Sequence, residues 1–234
     1  MPPSPDIIVA LDLPTAARIP DVVNAMPDPI RWYKVGLELF CREGPAALDF
    51  LHTRSARIFL DLKLHDIPRT VAQAVRAAAA HGIDLLTLHA SGSRAMLQAA
   101  AEAAASCGEQ RPRLLAVTVL TSLDATDLDE LGVARSLSDH ALALAHLSMD
   151  CGIDGLVCSP HEAAALRAAL GPAPLLVTPG IRLPGDEAGD QKRIATPRWA
   201  AQQGATHLVL GRAILDAPSP RAAAEDVLAD LQAV

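Results

Sequence analysis

Residues 57–70, Arg-Ile-Phe-Leu-Asp-Leu-Lys-Leu-His-Asp-Ile-Pro-Arg-Thr, run from an apolar strand into the start of a helix. They carry three charges, Asp61, Lys63 and Asp66, within six residues. Alternate side chains of a strand share a face, so Asp61 and Lys63 project the same way, roughly 6.5–7 Å apart. Leu60, Leu62 and Leu64 cover the other face. Pro68 ends the ladder, and Thr70-x-x-Gln73 reads as a capping box that opens the next helix. Charged side chains seldom enter a buried strand unless they are paired. A structural ion-pair network would meet that requirement, but buried pairs stabilise weakly, and this density points to a working site. A lysine held among carboxylates is favoured in its charged form and can deliver a proton.

The same strand-to-helix unit recurs along the chain. Apolar, strand-forming runs occupy Ile7–Asp12, Arg31–Gly36, Arg57–Lys63, Asp84–His89, Leu114–Leu120, Gly155–Ser159, Leu175–Pro179 and His207–Gly211. Helix-period segments rich in Ala and Leu lie between them, at Thr70–His81, Ser93–Ser106, Leu137–Cys151, His161–Leu170 and Pro220–Leu231, with the weakest pattern at Arg18–Met26. Near-continuous apolar strands alternating with helices imply a parallel sheet buried on both faces. Eight such units in 234 residues predict one α/β domain over 1–234, a closed (β/α)8 TIM barrel. No G-x-G-x-x-G run follows the first strand, which argues against an open dinucleotide-binding sheet.

Composition narrows the function. The chain is half hydrophobic, has only 3% aromatic residues, and carries a formal net charge of −7. An acidic chain without a basic stripe does not suit nucleic acid. No uncharged apolar stretch reaches the ~20 residues of a membrane span, and Met-Pro-Pro-Ser-Pro-Asp does not read as a signal peptide. Cys41, Cys107, Cys151 and Cys158 show no Cys-x-x-Cys spacing and read as reduced thiols of a cytoplasmic protein.

Barrels of this kind carry their chemistry at the C-terminal ends of the strands. Strand one ends in Asp12, strand two carries Lys34, and strand three supplies Asp61, Lys63 and Asp66. Strand four ends in His89, strand five runs into Thr121 and Ser122, strand seven into Arg182, and strand eight into Gly211-Arg212. Loops after strands seven and eight commonly hold phosphate. Glycine lets backbone amides approach an anion, and arginine offers a fork for its oxygens. Pro179-Gly180-Ile181-Arg182 and Gly211-Arg212 fit that use, and Gln191, in the long loop 183–196, adds a neutral donor. Opposite them, the alternating charges of Asp12, Lys34, Asp61, Lys63 and Asp66 suit a reaction that develops a carbanion and then protonates it. The array balances itself without a metal, although its carboxylates would also suit Mg²⁺.

Asp61-Leu-Lys-Leu-His-Asp-Ile-Pro-x-Thr, Ala10-Leu-Asp12, Lys34-Val-Gly36, Val119-Leu-Thr-Ser122, Thr178-Pro-Gly-Ile-Arg182, Gly189-Asp-Gln191 and Gly211-Arg212 together resemble the orotidine 5'-phosphate decarboxylase family, in order and over essentially the whole chain. The D-x-K-x-x-D element alone is shared with related phosphosugar decarboxylases and synthases. The resemblance implies removal of CO2 from orotidine 5'-monophosphate to give UMP, the last step of de novo pyrimidine synthesis, without metal or organic cofactor. It implies that Lys63 protonates C6 and that Asp61 lies beside the departing carboxylate. Asp66 and Thr70 would serve the neighbouring subunit's site in a homodimer, and Asp12 and Lys34 would hold the ribose hydroxyls. Thr121, with Ser122 beside it, would contact the pyrimidine, while Gln191, Gly211 and Arg212, with Arg182 near them, would bind the 5'-phosphate. Loop 183–196, with Gly185 and Gly189 as hinges, is the expected lid. Arg69 departs from the Asn that bacterial members often carry there, which bears on the dimer contact alone. His65 and His89 are expected to make structural hydrogen bonds. The competing expectations are a Mg²⁺-dependent sugar-phosphate decarboxylase or aldol-type synthase on the same barrel, and a non-catalytic phosphate sensor, which would have no use for the charge array.

Overall fold

Strands that are mostly apolar must be covered on both faces, and here the coverage is a closed ring. The computed structural model describes residues 4–183 and 193–232. Its strands are β1 (Asp6–Ala10), β2 (Trp32–Gly36), β3 (Arg57–Leu64), β4 (Leu85–His89), β5 (Arg113–Val117), β6 (Gly155–Val157), β7 (Leu175–Thr178) and β8 (His207–Leu210). Each pairs in parallel with the next, and β8 pairs with β1 to close the barrel. The expected eightfold architecture is the observed one. Several strands stop one to three residues short of the expected runs, so Asp12, Thr121 and Arg182 stand on loops just past strand ends.

The helices are α1 (Ile19–Ala25), α2 (Leu37–Glu43), α3 (Asp49–Thr53), α4 (Pro68–Ala79), α5 (Ser93–Ala105), α6 (Ala125–Glu130), α7 (Leu137–Asp150), α8 (Pro160–Leu170), α9 (Pro197–Gln202), α10 (Arg212–Leu215) and α11 (Pro220–Gln232). Alanine-rich faces such as Ala100, Ala103 and Ala104 of α5 are fully buried, which lets the helix approach the sheet closely. The expected capping box at Thr70 does not form. Helix α4 begins at Pro68, whose fixed φ and missing N–H suit the first helical position, and Ile67 precedes it without a side-chain cap. Thr70 therefore lies inside the first turn.

Two hydrophobic clusters divide the strands by parity. Ile7, Val9, Leu60, Leu86 and Leu208 point outward into the large cluster beneath the helices. Ile8, Ala10, Trp32, Phe59, Leu85, Leu115, Val177 and Val209 form a separate plug inside the barrel. Below this plug the interior turns polar: Trp32 meets His207 edge-on at 5.3 Å, and the Arg57 guanidinium lies 4.9 Å from the Trp32 ring. Above it the interior becomes the charged mouth.

Burial, reinforced by Arg113 and Arg57 and opposed by Asp6, pushes His207 down from 6.5 to about 4. The imidazole is thus neutral near pH 7, and its 3.6 Å approach to Asp6 is not an ion pair there. Its proton affinity is higher in the unfolded chain. The stability it confers is complete above pH 6.5 and is lost as pH falls toward 4, by about 3 kcal/mol at 1.36 kcal/mol per unit. Denaturant titrations from pH 4 to 8 are expected to show this loss, and His207→Leu should flatten the slope between pH 6.5 and 4. An unchanged slope in the variant would remove His207 as its source.

Candidate active site

Strand β3 does not stay regular to its end. Leu60 pairs with Leu86 and Leu64 with Leu88, so four residues of β3 advance against two of β4. Lys63 takes up the excess with a left-handed φ of 50°, a conformation that costs a non-glycine residue free energy. Leu62 and Leu64 still pack toward the outer cluster, as the alternation implies. The irregularity turns the Lys63 side chain back, and its Nζ lies 2.9 Å from both Oδ1 and Oδ2 of Asp61.

Asp61 is the centre of the arrangement. Its side chain is only 11% exposed, and it meets a second ammonium, Lys34 Nζ, at 3.6 Å. Lys34 is equally buried and also reaches Asp12 Oδ1 at 3.0 Å. Thr87, on β4 and fully buried, donates its hydroxyl proton to Asp61 Oδ1 at 2.9 Å. Burial pushes the Asp61 carboxyl up, but Lys34, Lys63 and the hydrogen bonds from Lys63 and Thr87 outweigh it, so the group titrates below the usual carboxylate range. Gly36 keeps room for this cluster: a Cβ there would stand 2.8 Å from Lys34 Nζ.

These groups line a cavity of about 400 Å³ at the C-terminal mouth of the barrel. Asp12, Lys34, Asp61 and Lys63 form one wall, Thr121 and Ser122 a second, and Gly180, Arg182, Gly211 and Arg212 a third. Phe59, Val117, Val157 and Val209 floor it, so a polar rim sits over an apolar base. Arg182 is 7% exposed and donates to the Ile181 carbonyl at 2.9 Å, while Arg212 is exposed at the start of α10. Gly180 has a φ of 78°, a turn that glycine adopts without strain.

Two expectations from the sequence do not hold here. Asp66 is not part of the charge wall. It is exposed beyond the end of β3, accepts from the Ile67 N–H at 2.6 Å, and lines a separate open groove with His65, Ile67, Pro68 and Ser91–Ser93. Thr70 and Arg69 are exposed on α4, also away from their own chain's cavity. Among the described residues, His65 and His89 share a tilted ring contact at 5.3 Å and make none of the expected hydrogen bonds. Burial, then His65 and Lys63, push His89 below its ordinary value despite Asp61, so His89 is neutral near pH 7. Gln191, Gly185 and Gly189 lie outside the described residues.

Two features escaped the sequence. Thr87 reads there as one more strand residue, and its partner is 26 positions away. Cys158 lines the cavity, and burial followed by Glu162 pushes its thiol well up, leaving an inert packing group. Just after the undescribed stretch, Arg193 pairs with Glu162 of α8 and donates to the Leu120 carbonyl at 3.2 Å. Among the described residues, no group of three or more His, Cys, Asp or Glu is arranged to hold a metal ion, and no helix is long and apolar enough to cross a membrane.

The fold and site together are those of a (β/α)8 barrel whose C-terminal mouth carries a lysine–carboxylate wall and the loops of Arg182 and Arg212. The family model for Orotidine 5'-phosphate decarboxylase / HUMPS matches residues 5–227. The chain belongs to that family. It is 50% identical over 231 residues to the orotidine 5'-phosphate decarboxylase of Anaeromyxobacter sp. (strain K), covering 99% of this chain and all of the relative. It is 46% identical to that of Moorella thermoacetica, with 97% and 92% coverage. The solved structure of the orotidine 5'-phosphate decarboxylase from Lactobacillus acidophilus superposes with a TM-score of 0.85 at 36% identity, covering 98% of this chain and all of that one.

Removing the Lys34 ammonium takes away one of the charges that hold Asp61 ionised. Lys34→Met is expected to lower kcat/KM by about 10²-fold and to move the acid limb of its pH profile upward, because the carboxyl then titrates at higher pH. An acid limb that stays in place would show that Lys34 does not set the charge of Asp61.

Proposed function

We propose that this chain decarboxylates orotidine 5'-monophosphate to UMP and CO2. The observation that carries this reading is Lys63 Nζ seated on both oxygens of Asp61 in the cavity wall opposite Arg182 and Arg212. The C6–carboxylate bond breaks, its electron pair stays on C6, and CO2 leaves. Lys63 gives one proton to C6 and is recharged from solvent. Asp61, ionised beside the leaving carboxylate, fixes the ammonium where negative charge develops, which is the electrostatic contribution expected of a preorganised site. Asp12 and Lys34 hold the ribose hydroxyls, and Thr121 with Ser122 contacts the pyrimidine. Gly211, Arg212, Arg182 and Gln191 take the 5'-phosphate. Phosphate binding, remote from C6, supplies energy realised at the transition state.

The protein acts as a cytoplasmic homodimer that uses neither metal nor organic cofactor. The exposed positions of Asp66 and Thr70, away from their own cavity, and the 67% exposed Ile67 between them support their delivery to the partner's site. The alternative, a Mg²⁺-dependent enzyme of the same barrel, is less well supported. The Asp61 and Asp12 oxygens face lysine ammoniums, and the relatives near 50% identity bear the decarboxylase name.

Orotidine 5'-monophosphate absorbance should fall on adding the protein, at the same rate with and without EDTA. No turnover, or turnover lost to EDTA, would favour the alternative. Lys63→Ala and Asp66→Ala are each expected to be inactive alone and to regain activity when mixed, since one mixed site then has both residues. Failure to regain activity on mixing would place Asp66 outside the partner's site.

A further inference from the structure

The Lys63 backbone creates a problem that the catalytic reading does not solve. At φ 50° in an irregular stretch of β3, its N–H has left the regular ladder with β4. The Thr87 hydroxyl takes it at 2.9 Å. The same oxygen donates at 2.9 Å to Asp61 Oδ1. The polarity is forced: a backbone N–H only donates, and an ionised carboxylate only accepts, so the single hydroxyl proton must go to Asp61. Thr87 has no exposed surface, and nothing in solvent can replace it. It stands on the inward face of β4, two residues beyond Leu85 of the interior plug.

We infer that Thr87 is a positioning residue for the proton transfer, one hydroxyl clamping both the Asp61 carboxylate and the left-handed backbone from which Lys63 reaches it. The inference rests on the decarboxylase reading for the identity of the reaction, but the clamp itself is a property of the fold. Without it, Asp61 can turn about its own side-chain bonds, and the Lys63 backbone loses the partner that offsets its strained conformation. The ammonium then samples positions off the line to the reacting carbon. Substrate contacts at the phosphate and ribose are untouched, so the loss falls on kcat and spares KM. Loss of a hydrogen bond to the ionised carboxylate also makes Asp61 easier to protonate.

Thr87→Val keeps the shape and removes the hydroxyl, whereas Thr87→Ser keeps the hydroxyl. Thr87→Val is expected to lose about 10- to 100-fold in kcat, in line with the cost of a misplaced catalytic group, with KM within about threefold. Its pH–rate acid limb should move upward, and Thr87→Ser should restore both kcat and limb. An independent readout is the carboxyl ¹³C titration of Asp61, which should move to higher pH in Thr87→Val and return in Thr87→Ser, whatever the substrate is. Wild-type kcat and an unmoved carboxyl titration in Thr87→Val would overturn the inference. So would equal losses in Thr87→Val and Thr87→Ser, or a loss accounted for by unfolding in thermal melts. Failure of the decarboxylase reading shows differently: wild-type protein without turnover of orotidine 5'-monophosphate, with the ¹³C shift still present.

Discussion

A carboxylate buried with one-tenth of its side chain exposed is tolerable only while positive charge stands against it, and the mouth of this barrel is organised by that requirement. Asp61 is held by Lys63 at 2.9 Å and Lys34 at 3.6 Å, and Lys34 in turn reaches Asp12. Removing one partner from such a cluster leaves an uncompensated buried charge, a costlier state than replacing the whole cluster with apolar groups. The arrangement is therefore weak as a stabiliser and strong as a constraint. It fixes a lysine ammonium at one point on the wall of an otherwise apolar cavity.

The barrel supplies what that constraint needs. The interior plug of Ile8, Trp32, Phe59, Leu115 and their neighbours closes the tube beneath the charges. With Asp61 and Lys34 each 11% exposed, their attraction is screened less than in bulk water. Loops after β7 and β8 place Arg182 and Arg212 across the same cavity. In the proposed reaction, binding energy gathered at that wall and charge held at the other act on one substrate. The Glu162–Arg193 pair ties α8 and the Leu120 carbonyl to the chain just past the undescribed stretch.

Much of this was legible in residues alone because period and polarity are local signals. Eight apolar runs separated by alanine-rich segments can bury themselves in few ways, and the barrel follows. Asp12, Lys34, Asp61, Lys63, Arg182 and Arg212 were visible as charges at strand ends. Thr87 was not, because a threonine in a strand is ordinary and its partners come from the neighbouring strand. Asp66 reads as part of the charge wall because three charges fall within six residues at the strand end, but it lies beyond the left-handed turn at Lys63 and outside the cavity. The expected cap at Thr70 lost to Pro68, whose ring suits the first turn better than a hydroxyl two residues later.

The central claim is that Lys63 is the proton donor on which turnover depends. Its most direct test is the kcat of Lys63→Ala on orotidine 5'-monophosphate, measured beside UMP binding and thermal unfolding of the same preparation. The expected loss is 10²–10⁴-fold or more, the range of a removed general acid, in a protein that remains folded and still binds UMP. Near-normal turnover by a folded Lys63→Ala protein would contradict it.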